Sequence, residues 1–322
     1  MKERKIIYRI RVGSQLYGLS TPESDEDFLS VFLPSDEDLL GLNKVDMINN
    51  STKSSSEDRR NTKDDIDDVS YSLPKFMHLL LGNNPNIVET LFATGENVLI
   101  CEPEFQPLID NYKKLISQKI YFSFTSYAYS QKKKLITKKE RYASLTNGIK
   151  LVENRFTKDQ LTDRKYGLTQ DDADWMNKNL DFYKNRDGNA ESFHIGLPLH
   201  VNYEKLVSER DNYGWRVKTD TFLSHGYDLK FGMHSIRIMA EGLMLLETSK
   251  LEFPFTGEHK INVMRIRNGD VYLDELLEMH ETYAKLCEKA LETTVLPKKP
   301  NFKWANNYLV NILRNNIIKD VV

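Results

Sequence analysis

Two carboxylates, Asp25 and Asp27, follow a Gly13-Ser14 pair after ten intervening residues, and these side chains are the best placed in the chain to do chemistry. Asp25-Glu26-Asp27 runs straight into Phe28-Leu29-Ser30-Val31-Phe32-Leu33-Pro34, a strand-like stretch. Side chains alternate along a strand, so Asp25 and Asp27 share one face. Like charges side by side repel unless something cationic lies between them. Magnesium suits such a pair because it takes oxygen ligands and leaves positions for the phosphates of a substrate. Gly13 lacks a Cβ and would let a triphosphate come close to the backbone. The Ser14 hydroxyl and the amides of the following turn could hold its terminal phosphate. Thr21 to Asp27 taken alone also has the composition of an acidic surface turn. The order of an apolar run, Gly-Ser, two acids and a second apolar run is what points to metal-assisted phosphate chemistry.

The elements that must position these residues follow from periodicity. Residues 5–12 alternate and are rich in β-branched types (Ile6, Ile7, Ile10, Val12), which predicts a strand. Gln15 to Leu19 predicts a short helix or turn, and Phe28 to Leu33 a second strand. Residues 49–68 are polar and read as a mobile loop, followed by a strand near Asp67 to Tyr71. A helix is expected from Leu73 to about Leu81 and a helical piece from Ile87 to Ala93. Beyond residue 113 the pattern is helical, with a long lysine-rich helix from Tyr121 to Arg141. Residues 185–222, with Gly188, Gly196, Pro198 and Gly214, read as irregular. Leu229 to Leu246 is an amphipathic helix capped by Asp228, and Leu273–Leu291 and Phe302–Ile318 are two more. The expected class is α/β: a head with a mixed β-sheet over residues 1–112, then a mainly helical C-terminal region over 113–322.

Composition narrows the function. The chain has 322 residues, 40% hydrophobic and 29% charged, as in an ordinary soluble globular protein. A net charge of −2 gives no global pull toward nucleic acid, so a polyanion site must be a local patch. The two cysteines, Cys101 and Cys287, argue against a disulfide framework or a thiolate zinc site. No apolar stretch reaches membrane-spanning length, and the N-terminal Met1-Lys2-Glu3-Arg4-Lys5 leads into a strand-like run rather than a signal peptide. The expected location is cytoplasmic, with no membrane partner, and no feature sets an oligomeric state.

The residues also carry a resemblance. Gly13-Ser14-Gln15-Leu16-Tyr17-Gly18-Leu19, Thr21-Pro22, Ser24-Asp25-Glu26-Asp27 and Val31-Phe32-Leu33-Pro34 form a first block. Tyr71-Ser72-Leu73-Pro74-Lys75-Phe76, Gly82-Asn83-Asn84-Pro85-Asn86 and Glu89-Thr90-Leu91-Phe92 form a second. Gly226-Tyr227-Asp228-Leu229-Lys230-Phe231-Gly232-Met233-His234-Ser235-Ile236-Arg237, echoed near Arg267-Asn268-Gly269, forms a third. In this order they resemble the predicted nucleotidyltransferases of the DNA polymerase β superfamily, in the bacterial and phage branch found beside RNA-repair ligases. The chain departs from that pattern at Gln15, where the family often has a basic residue, and at Ser30, where it often has glycine.

The resemblance implies a polymerase-β-like head and a magnesium-dependent transfer of a nucleoside monophosphate from a nucleoside triphosphate to a hydroxyl, with pyrophosphate leaving. Such a site takes a third carboxylate from a neighbouring strand, available from Asp64, Asp65, Asp67 or Asp68. Asp67 matches the family's offset before the Tyr71 block, with Asp65 and Asp68 as rivals, so the implied catalytic and metal set is Asp25, Asp27 and Asp67. Lys230, His234, Arg237 and Glu241 fall on one helical face by spacing, a pattern that also suits a solvated face. The family likeness assigns Lys230, His234 and Arg237, with Gly13 and Ser14, to the nucleotide. Lys132, Lys133, Lys134, Lys138, Lys139 and Arg141 lie among Tyr127, Tyr129 and Tyr142, a mixture that suits RNA as well as a solvated face. An RNA or tRNA 3′ end is the favoured acceptor. A protein or small-molecule hydroxyl is the alternative, and a non-catalytic nucleotide-binding or antitoxin-like module is the alternative of another class.

Overall fold

The computed structural model describes residues 4–22, 24–42, 44–52, 66–180, 193–217 and 224–319, with the side chains of all but 133–140, 212–217 and 318–319. It contains one mixed sheet of five strands in the order β3-β4-β2-β1-β5. These are β1 (Ile6–Arg11), β2 (Glu26–Phe32), β3 (Met47–Asn49), β4 (Ile66–Ser72) and β5 (Val98–Cys101). β2 runs parallel to β4, whereas β1 is antiparallel to both β2 and β5 and β3 to β4. The mixed sheet expected for the head is therefore present. β3 and β5 were not expected, being too short to show a period.

The helices among the described residues are α1 (Gly13–Tyr17), α2 (Asp36–Leu40), α3 (Leu73–Leu81), α4 (Pro85–Val88), α5 (Gln106–Asp110), α6 (Lys119–Arg155), α7 (Lys158–Thr162), α8 (Gln170–Asn179), α9 (Leu199–Val217), α10 (Leu229–Thr248), α11 (Gly257–Asn268), α12 (Leu273–Thr293) and α13 (Phe302–Lys319). The C-terminal region is mainly helical, as expected. α3 has the predicted bounds because its signals are local: Ser72 caps the Lys75 amide and Pro74 sits in the first turn. Asp228 caps α10 as expected, accepting from the amides of Lys230 at 3.0 Å and Phe231 at 3.4 Å.

Two expectations give way. Residues 199–217 form a helix rather than irregular chain, because Leu199 and Leu206 are buried in an apolar cluster with Tyr203 and Val207 packed against it. That helical seam outweighs Gly214. The division at residue 112 is also replaced. One compact unit takes Met1–Tyr129, Met233–Asn268 and Leu276–Val322, and the other Ser130–Gly232 and Gly269–Glu275. The cause is burial: Ile120, Phe124 and Ala128 of α6 are fully buried, and a Cβ on Gly242 of α10 would lie 3.0 Å from that of Phe124.

In the first unit one face of the sheet is apolar. Tyr8 and Ile10 pair with Val31 and Leu29, and the Tyr8 ring stacks on Phe105 at 3.9 Å, with Phe76 of α3 edge-on to Phe105. The second unit has its own core, including Leu145, Ile149, Val152, Phe156, Met176 and Leu199. Among the described residues, no helix is long and apolar enough to cross a membrane.

Candidate active site

The acids sit where β1 ends and β2 and β4 begin. β2 and β4 are parallel, and their register sets Asp27 opposite Asp67. Paired residues of neighbouring strands project to the same face, here the face of Leu29 and Val69 one step further along. Asp25 stands one residue before β2; it and Asp27 are half-buried, while Glu26 between them is exposed, its carboxylate 3.9 Å from Arg11. The alternation expected from sequence therefore explains the charged middle residue: it points away from the site.

Of the rivals to Asp67, Asp68 faces the other side of the sheet. There Arg9 donates to it at 3.0 and 3.3 Å and to Ser30 at 2.9 Å, with the guanidinium 4.7 Å from the centre of the Phe28 ring. Asp64 and Asp65 lie outside the described residues.

The Gly-Ser turn closes over Asp27. The Val12 amide donates to the Asp27 carbonyl at 2.9 Å, and the next residue, Gly13, takes φ +64°. A Cβ at Gly13 would lie 2.3 Å from Asp27 Oδ2. Only glycine fits, for both the left-handed backbone and the close approach of the carboxylate. Ser14 follows in the first turn of α1, whose N-cap, Val12, makes no side-chain capping bond.

α1 is anchored from below by a buried ionic cluster that sequence reasoning missed. Tyr17 donates to both oxygens of Glu89, at 2.9 and 3.0 Å. Arg237 Nη1 donates to Glu89 at 2.8 Å and to Glu241 at 2.6 Å, and its guanidinium lies 4.1 Å from the centre of the Tyr17 ring. Arg237 is 2% and Glu241 0% exposed. This corrects the expected role of Arg237. α10 is buried nearly all round from Ser235 to Leu246, so Arg237 and Glu241 enter the core, where Arg237 Nη1 serves two carboxylates and the buried Nε has no hydrogen-bond partner among the described residues. Burial pushes the Glu241 carboxyl up to about 8, against the pull of Arg237. Burial works to lower the Arg237 pKa, but Glu241, Tyr17 and Glu89 together outweigh it and hold the pKa above its ordinary value.

Arg267 of α11 grips the segment between α1 and β2, donating to the Leu19 carbonyl and, at 3.5 Å, to Ser24 Oγ beside Asp25. One sequence signal could have exposed the cluster: Glu89 is a lone charge in the apolar run Ile87 to Ala93, and such a residue needs a buried partner.

His234 is half-buried in the first unit, whereas Lys230 is exposed and belongs to the second. Of the basic run in α6, Lys132 is half-buried, the side chains of Lys133, Lys134, Lys138 and Lys139 lie outside the described residues, and Arg141 pairs with Glu209 at 2.7 Å.

Among the described residues no three metal-type side chains converge closely enough to hold an ion by themselves. Magnesium in phosphate-transfer sites needs only one or two carboxylates, because substrate phosphates and water complete its shell. The register pair Asp27–Asp67 beside the Gly13 cradle fits that requirement, with Asp25 adjacent.

Comparison with known proteins bears on these features. A model of the RNA repair pathway DNA polymerase beta family matches residues 1–297. An uncharacterized 38.9 kDa protein in the nrdC-mobD intergenic region of Enterobacteria phage T4 is 26% identical over 321 residues, spanning 88% of this chain and 91% of its own. A crystal structure of a nucleotidyltransferase-like protein from Exiguobacterium sibiricum aligns with 97% of this chain and 74% of that one, at 9% identity and a TM-score of 0.24, a likeness too slight to bear on the fold.

Proposed function

From the premise that this chain belongs to the RNA repair pathway DNA polymerase beta family, we propose that it is a magnesium-dependent nucleotidyltransferase that moves a nucleoside monophosphate from a nucleoside triphosphate to the 3′ hydroxyl of an RNA. The observation that carries this reading is the register of Asp27 opposite Asp67 beside Gly13.

Asp27 and Asp67, with Asp25, would hold magnesium, which when bound neutralises the phosphates and favours attack by the hydroxyl. The chain's own part is positioning. Gly13 leaves the carboxylate of Asp27 room against the turn, and Ser14 offers a hydroxyl to the phosphates. Lys230 and His234 are the further nucleotide contacts of this reading, and Lys132 to Lys134, Lys138 and Lys139 its contacts to RNA. The Tyr17–Glu89–Arg237–Glu241 cluster and Arg267 fix the turn from behind, and they are positioning residues.

Gly13→Ala tests the cradle directly. The added methyl strains the left-handed backbone by about 1–2 kcal/mol and displaces the Asp27 carboxylate. Misplacement on the order of 1 Å costs about a hundredfold in rate. Transfer should therefore fall by about that factor while the melting temperature drops only a few degrees. Transfer at the wild-type rate in Gly13→Ala would remove the turn from the site.

The function itself is tested by incubating the whole chain with magnesium and each α-labelled triphosphate in the presence of total RNA and cell protein. Label is expected in the RNA fraction. Label in protein or in a small molecule would overturn the acceptor. Triphosphate binding with no label anywhere would favour a non-catalytic nucleotide-binding module.

A further inference from the structure

A second basic surface lies in the first unit, away from the lysines of α6 in sequence and around the end of the family match at residue 297. The segment leading into α13 runs along the segment leading into α6. The Gln118 amide donates to the Pro297 carbonyl at 2.9 Å, and the Asn301 amide to the Lys114 carbonyl at 2.7 Å. The Gln118 side chain adds a bond to the Leu296 carbonyl at 3.1 Å. These ties bring Lys113 and Lys114 together with Lys298, Lys299 and Lys303, and all five lysines are exposed.

None of the five forms an ion pair with a described residue. Lys114 instead lies 5.0 Å over the ring of Trp304, which stacks on Tyr308 at 5.6 Å. Phe302, 68% exposed, stands between Lys303 and the other lysines in sequence, at the first turn of α13. The positive end of that helix therefore faces the same patch.

In a chain of net charge −2, five exposed like charges with no ion pair to a described residue repel one another and suit a polyanion. An exposed aromatic ring among them suits one particular polyanion. Single-stranded nucleic acid offers phosphates to the lysines and an open base face to the ring, whereas a duplex hides its bases and an acidic peptide has no base to stack. We propose that this surface binds single-stranded RNA, with Lys298, Lys299 and Lys303 on the phosphates and Phe302 stacked on a base. The choice of RNA as the strand rests on the function proposed above; the surface itself does not.

The test uses the whole chain and a fluorescein-labelled, unstructured single-stranded RNA, with anisotropy read across a salt series. Each phosphate contact to a single strand contributes about 0.7 to the log–log salt slope, so Lys298→Gln/Lys299→Gln/Lys303→Gln should lower the slope by about two. Phe302→Ala should weaken binding about tenfold at every salt concentration, with the slope unchanged. All four side chains are exposed, so melting temperatures should stay at the wild-type value. Wild-type affinity and slope in both variants would overturn the proposal, as would RNA binding lost only when Lys132 to Lys134 are replaced. Because binding is read rather than transfer, the two readings separate. A wild type that transfers no nucleotide, yet loses RNA in these variants, would sink the function and keep the surface. An active enzyme whose RNA binding ignores them would do the reverse.

Discussion

Asp27→Asn and Asp67→Asn are each expected to lower nucleotidyl transfer by a factor on the order of a hundred to a thousand, the usual cost of removing one preorganised electrostatic group from a reacting centre. Both should remain folded. The two carboxylates are register partners on parallel strands, and replacing one by a neutral amide relieves repulsion in the metal-free chain. The melting temperature should therefore stay level or rise as activity disappears. Asp25→Asn belongs to the same series, since Asp25 shares the half-buried side of the strand entry with Asp27. Asp68→Asn is the internal control. It lies one residue away, but on the other face and paired with Arg9 at 3.0 Å, so it should cost about 1 kcal/mol of stability or less and leave transfer near wild type. Labelled-nucleotide transfer and thermal melting on the four variants decide the matter. Near wild-type transfer in Asp27→Asn or Asp67→Asn would end the catalytic assignment, and a larger loss in Asp68→Asn would show that the wrong sheet face had been chosen.

How much of this was legible in the sequence depended on how local each signal was. β1, the Gly13–Tyr17 turn, β2 and α3 follow from alternation, glycine, proline and capping within a few residues, and all stand close to where the sequence puts them. The partnership of Asp27 with Asp67 is not local. Strand parity gives each acid a face, but only pairing across forty residues of chain brings the faces together, and here the family resemblance supplied what periodicity could not. Arg237 shows the opposite failure. Helical spacing rightly puts Lys230, His234, Arg237 and Glu241 on one stripe, but spacing does not say whether a polar stripe meets water or core. The answer lay in Glu89 and Tyr17, distant in sequence and ready to neutralise it. The two interleaved units were equally hidden, because nothing in a continuous helix such as α6 marks the point at which its neighbours change.

Arg237→Met should destabilise the protein by about 3–5 kcal/mol, the usual cost of removing one partner from a buried ion pair. The reason is that Glu89 and Glu241, 3% and 0% exposed, would lose the cation that faces both. One guanidinium cannot fully offset two buried carboxylates, and Glu241 Oε2 has no hydrogen-bond partner among the described residues. Burial therefore pushes the Glu241 carboxyl from an ordinary 4.5 up to about 8. The sign follows from proton linkage. The folded state binds this proton more tightly than the unfolded state, so its stabilising contribution is complete below 4.5. The contribution then falls as pH rises toward 8 and is gone above it. Glu241→Gln keeps the shape and removes the proton, so this slope should vanish in that variant between pH 5 and pH 8, and the two stability curves should run parallel above about pH 8. Arg237→Met should regain stability as the pH is lowered, because the stranded Glu241 carboxyl can then be protonated. Urea midpoints of wild type and both variants over that pH range, with triphosphate affinity measured wherever each is folded, test the cluster as a whole. A wild-type midpoint in Arg237→Met, combined with a large loss of triphosphate affinity, would take Arg237 out of the core and return it to the phosphates.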